Sequence, residues 1–269
     1  FYFEDCIPEN GDICPYGSGV VSGRAVLDAQ PGTLMLSSGK CFAILCGIWL
    51  GLLMGLFISG QGCTTDNDAT NAEVAVNEIA PEPEPLVYLT VLGTVQDAGS
   101  PQIACQKDCC KDLFESPDPS RMVVSLGLTD LRNNATYLFE ATPDMPRQLD
   151  LLNRVSEQES NKMPNGVFLT HAHIGHYTGL MYFGKEAMNA DRVPVYSLPR
   201  MKNFLETNGP WSQLVSTNNI QLNELKAAEP LELEKELTVT PLLVPHRDEF
   251  SETAGFLIDG PQKSALFIP

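Results

Sequence analysis

The most restrictive stretch of the chain is Thr170-His171-Ala172-His173-Ile174-Gly175-His176, entered directly from the short apolar run Gly166 to Thr170. Residues two apart at a strand end project to the same side, so His171 and His173 point together, and the Gly175 turn lets His176 swing back towards them. Three imidazoles tolerate such closeness when a shared cation occupies their lone pairs, and neutral imidazole suits Zn²⁺ or Fe²⁺. The whole sequence holds four histidines. The fourth, His246, follows the apolar run Leu237 to Val244, so every histidine sits at a strand end able to face one site. An isolated strand-end histidine more often lies at the surface or satisfies a core hydrogen bond; three within six residues point to metal.

The surroundings read as an α/β layered domain. Strand patterns fall at Val87 to Leu92, Met122 to Leu128, Thr136 to Phe139, Val193 to Ser197, Leu237 to Val244, Ala254 to Ile258 and Ala265 to Ile268. Helical spacing marks Asp144 to Val155, Tyr177 to Met188 and Pro199 to Thr207. Strands with interspersed helices imply stacked layers. A formal net charge of −17 disfavours general attraction to phosphates, so no nucleic-acid partner is expected.

The segment before Val87 has a different grammar. Residues 1–34 are acidic, contain no methionine and read as a non-native or disordered extension. Residues 35–63 run from Met35 through Lys40 and an uncharged stretch, Cys41 to Ile58, to Gly60-Gln61-Gly62-Cys63. This is the pattern of a lipoprotein-type signal peptide, with Cys63 as lipid attachment point, or of an uncleaved membrane anchor. Residues 64–86, ending in Pro81-Glu82-Pro83-Glu84-Pro85, form an acidic, Pro-rich linker. The expectation is a protein tethered to the bacterial cell envelope, on its periplasmic or extracytoplasmic face.

The histidine turn together with Tyr177-Thr178-Gly179-Leu180 resembles the metallo-β-lactamase fold. Val91-Leu92-Gly93-Thr94, Gln96-Asp97-Ala98-Gly99-Ser100-Pro101-Gln102, and Tyr137 to Asp144 resemble proteins related to pyrroloquinoline quinone biosynthesis protein B. The resemblance covers 87–269 and implies an αββα sandwich with a metal site at the open edge of two sheets. It also implies that His171, His173 and His246 hold one Zn²⁺ with water in the open position, while His176 belongs to a second position. That superfamily usually carries aspartate where Gly175 stands, so the second position is expected to be incomplete. The family's further ligands would fall beyond Pro269, so the domain is expected to be truncated.

Cys105, Cys109 and Cys110 resemble the cysteine-bound structural zinc of some relatives, with Asp108 a conceivable fourth ligand. A disulfide from Cys105 to Cys109 or Cys110, or free thiols, are the alternatives. The resemblance implies a metal-dependent hydrolase acting on an ester, amide, lactone or phosphoester, with Asp248 or Glu249 either a proton acceptor or a solvated loop carboxylate. The alternatives are a non-catalytic metal-binding protein of the same fold and an Fe²⁺-dependent oxygenase acting in cofactor biosynthesis. The substrate is expected to be a small molecule or peptide-derived.

Overall fold

A computed structural model describes Arg24–Val26 and residues 86–269. The signal or anchor segment 35–63, the linker up to Pro85 and the rest of 1–34 lie outside the described residues. Among the described residues no helix is long and apolar enough to cross a membrane.

Seven strands form the larger sheet in chain order: β1 (Arg24–Val26), β2 (Val87–Gly93), β3 (Ser125–Asp130), β4 (Ala135–Phe139), β5 (Gly166–Phe168), β6 (Val193–Ser197) and β7 (Ile220–Glu224). Pairing is antiparallel from β1 to β4 and parallel from β4 to β7. The smaller antiparallel sheet has the order β11-β10-β9-β8, from β8 (Leu231–Glu234), β9 (Leu237–Leu243), β10 (Ala254–Asp259) and β11 (Ser264–Phe267).

Parallel neighbours need crossovers, and helices provide them. α1 (Met145–Val155) joins β4 to β5; the short α2 (Ile174–Tyr177) and a 3-10 segment (Thr178–Phe183) follow β5; α3 (Pro199–Thr207) and α4 (Trp211–Ser216) join β6 to β7. α1 forms because Met145, Leu149 and Leu152 recur at helical spacing and are buried, with Pro146 tolerated in the first turn. Its N-cap residue, Asp144, accepts the Val123 amide at 2.9 Å and ties the helix to the segment entering β3.

Two cores result. One lies between the helices and the large sheet, with Leu138, Met145, Leu152, Val167, Leu180, Met201 and Leu205 buried in it. The other lies between the sheets, where Phe168 stacks on Phe139 and Tyr196 at centroid separations of 4.9 and 4.7 Å and meets the edge of Phe256 at 5.6 Å.

The second helix layer of the expected αββα sandwich is not among the described residues. The small sheet is a run of consecutive hairpins, and its connections carry no helix. The expected helix Tyr177 to Met188 is instead the end of α2, a 3-10 segment over Thr178–Phe183 and turns beyond it, with Gly179 passing against the 141–142 backbone: a Cβ there would sit 2.2 Å from the Thr142 carbonyl oxygen. Met122 to Val124 enters β3 without belonging to it, and α4, β7 and β8 carry no clear periodic signal in the sequence. Phe168→Ala should cost about 3–5 kcal/mol, through lost burial and a residual cavity. Urea denaturation should show this as a lowered midpoint.

Candidate metal centre

The carboxyl ends of parallel strands leave a crevice where loops converge. Phe139 and Phe168 are in register across β4 and β5, and the next residues, Glu140 and Leu169-Thr170-His171, turn into that crevice. His246 arrives from the β9–β10 loop of the other sheet. Two bonds lock the sheets together here: the Ala254 amide donates to the Thr170 carbonyl at 3.0 Å, and the Ala172 amide to Ser251 Oγ at 2.9 Å.

His171 Nε2 lies 2.8 Å from His173 Nδ1, and His246 Nε2 lies 3.2 Å from the same atom. One donor atom from each of the three residues falls within 4.8 Å of the others. The outer nitrogens of His171 and His173 are engaged. His171 Nδ1 meets Thr170 Oγ1 at 2.8 Å, and that hydroxyl donates to Glu140 Oε1 at 2.5 Å. His173 Nε2 meets Glu249 Oε2 at 2.9 Å. The network therefore assigns protons to His171 Nδ1 and His173 Nε2, leaving His171 Nε2 and His173 Nδ1 as lone pairs aimed at one point. Three neutral nitrogens, two of them on rings with hydrogen-bonded outer edges, fit a divalent cation, with one tetrahedral position open.

His176 stands beside this trio. Its ring is 4.3 Å from that of His171, it is buried, and its Nδ1 lies 3.3 Å from Glu140 Oε1. Glu140 is fully buried at a φ of +79°, a backbone state unusual for glutamate. Its role is absent from the sequence reading, which notes 137–144 only as a resemblance. A carboxylate one residue past a buried strand was the available signal. Glu249 holds a histidine in place rather than standing free, and Asp248 accepts from Thr253 Oγ1 at 2.9 Å.

Burial, reinforced by the neighbouring histidines, pushes the pKa of His171 down to about 2, and burial also lowers that of His246. Burial opposes the charged form of His176 as well, but the Glu140 carboxylate outweighs it and raises the pKa. The His173 hydrogen bond holds Glu249 below the ordinary carboxylate range.

At the cysteine cluster the three sulfurs lie within 4.8 Å of one another. Cys105 and Cys110 are free thiols, so the disulfide between Cys105 and either neighbour is not formed, whereas Cys109 is disulfide-bonded and does not offer a thiolate as the expected three-cysteine zinc site requires. Asp108 does not join them: its carboxylate is exposed and pairs with Lys111 at 2.5 Å. A hydrogen bond from the Cys110 thiol favours the thiolate at Cys105.

Residues 135–269 match the family profile described as a beta-lactamase superfamily domain. The chain belongs to the metallo-β-lactamase superfamily. Among solved structures it is similar to Zn²⁺-bound PqqB from Methylobacterium extorquens, with a TM-score of 0.54 and 19% identity over 67% of this chain and 64% of that one. It is also similar to a diphosphatase of the PhnP family, with a TM-score of 0.46 and 24% identity over 64% and 62% of the two chains. A third similar structure is a metallo-β-lactamase-like protein from Thermotoga maritima, with a TM-score of 0.40 and 16% identity over 67% and 76%. No curated protein matches the sequence. Within the superfamily's fold, the histidine trio here occupies the edge where the two sheets meet.

Glu249→Gln should leave the fold intact and weaken metal binding about 10- to 100-fold, read by chelator competition. The metal-free protein should lose stability as pH falls below about 6.5, because the unfolded chain then binds protons that folded His171 and His246 refuse. His176 has the opposite sign: its raised pKa contributes stability fully below 6.5, and that contribution is lost as pH rises through the raised value. Urea midpoints at pH 5.0, 6.5 and 8.0 should show the fall on the acid side.

Proposed function

We propose that this chain is a metal-dependent hydrolase in which His171, His173 and His246 hold one Zn²⁺. The reading is carried by the convergence of His171 Nε2, His173 Nδ1 and His246 Nε2, the first two on rings held by hydrogen bonds at their outer nitrogens. A cation held there supplies Lewis acidity and lowers the pKa of a water from 15.7 towards about 7.

The protein's own part is orientation. Glu140 and Thr170 fix the His171 ring from behind, and Glu249 fixes His173. A cavity of about 330 Å³, lined by residues including Asp97, Ser100, Arg121, Asp144 and Arg147, adjoins the histidine turn through Asp97. It suits a small ester, amide, lactone or phosphoester better than a polymer. Membrane tethering through Cys63 belongs to the same proposal and rests on sequence pattern; structural zinc at Cys105, Cys109 and Cys110 would need the Cys109 disulfide to be reduced first.

His173→Ala should lose one metal equivalent and hydrolysis of a panel of ester, lactone and phosphoester substrates, while the circular dichroism spectrum stays native. Iron in the wild-type protein with substrate-dependent oxygen uptake would instead identify an oxygenase. Metal without turnover of either kind would identify a binding protein.

A further inference from the structure

Gly175 does more than form a turn. A Cβ built on it would lie 2.3 Å from Asp97 Cβ, 2.6 Å from the Asp97 carbonyl oxygen and 2.9 Å from Asp97 Cα. The volume that a side chain at 175 would fill is therefore already taken by the first atoms of the Asp97 side chain. An aspartate at 175 and the present course of the 94–99 loop exclude each other sterically.

That loop is held in place. The Thr94 and Val95 amides donate to the Met122 carbonyl at 3.1 and 3.0 Å, the Val124 amide donates to the Val95 carbonyl at 2.8 Å, and the Gly99 amide closes a turn on Gln96 at 2.9 Å. Gly93 permits the approach, since a Cβ there would sit 2.1 Å from the Val123 carbonyl oxygen. Asp97 is half-buried and makes no ion pair with a basic side chain among the described residues. Its Oδ1 accepts from the Gln96 side-chain amide, and Gln96 Oε1 accepts in turn from Gln102 Nε2 at 3.0 Å. This is the outer support that an anionic ligand ordinarily has.

His176 supplies the independent observation. It is 7% exposed, its ring lies 4.3 Å from that of His171, and its buried Nδ1 stands 3.3 Å from Glu140 Oε1 without a hydrogen-bond partner among the described residues. Glu140, with no exposed surface, leaves Oε2 unpartnered at the same place.

We propose that Asp97 supplies, from the β2–β3 loop, the carboxylate that the histidine turn lacks, and that Asp97 and His176 together hold a second divalent cation beside the histidine trio. Carboxylate oxygen and imidazole nitrogen suit Zn²⁺, Mn²⁺ or Fe²⁺, with water completing the coordination. With two ligands from these residues, this is the weaker of the two positions. The inference rests on the trio holding the first cation.

Zinc titration of the metal-free protein by calorimetry, with elemental analysis after desalting, tests it in wild type, His173→Ala, His176→Ala and Asp97→Asn. Asp97→Asn keeps the shape of the side chain and removes its charge. Wild type should take up one weaker equivalent that Asp97→Asn and His176→Ala both lack, with its affinity lowered more than about a hundredfold, beyond the loss typical of an outer-sphere partner. The tighter histidine-bound equivalent and the metal-free circular dichroism spectrum should be unchanged in Asp97→Asn. An Asp97→Asn protein that keeps both equivalents, or a wild type with no weaker equivalent, overturns the proposal. Asp97→Ser repeats the comparison if the asparagine variant does not fold. Retention of every equivalent by His173→Ala would instead strike at the first position, a separate failure.

Discussion

The packing of Phe168 between the two sheets governs the rest of the structure. This ring ends β5, stacks on Phe139 and Tyr196, and meets Phe256 from the opposite sheet. Apolar burial is non-directional, but it fixes the separation of the layers at the point where β5 runs out. Thr170 then bridges the layers through its carbonyl, and its hydroxyl sets the ring of His171. The positions of the donor nitrogens are therefore inherited from a close-packed seam beneath them.

Much of this was legible in the sequence, and the reasons are local. β6 and α3 coincide with their expected spans because Val193-Pro194-Val195-Tyr196-Ser197 alternates cleanly and Pro199 marks a helix start. The histidines could be found because their spacing is itself a chemical statement. What escaped depends on contacts distant in the chain. β7 and β8 are edge strands, rich in Glu, Gln and Asn, so burial imposes little pattern on them. Glu140 looks like an ordinary acid until β4 and β5 are placed side by side and His176 folds back over it. The Gly175 departure was visible, but that its volume is filled by residue 97 was not, because the two lie far apart in the chain.

Acidic residues also divide by environment. Among the described residues most acidic side chains are exposed to solvent. Glu140, buried behind the site, and Glu249, beside His173, instead act on imidazole rings. A carboxylate there fixes the tautomer and increases the basicity of the ring it touches, so the ligands are arranged before a cation arrives.

His246 comes from the small sheet and His171 and His173 from the large one, so a cation that binds all three acts as a fastener across the sandwich. Ligand binding to the folded state alone adds RT ln(1 + [L]/Kd), about 4.1 kcal/mol at a thousandfold excess over Kd. That is a substantial fraction of what holds a domain of this size together. Metal supply and docking of the two layers thus become one equilibrium: a cell short of the metal would hold a sandwich whose halves part more readily, and that first at the histidine edge.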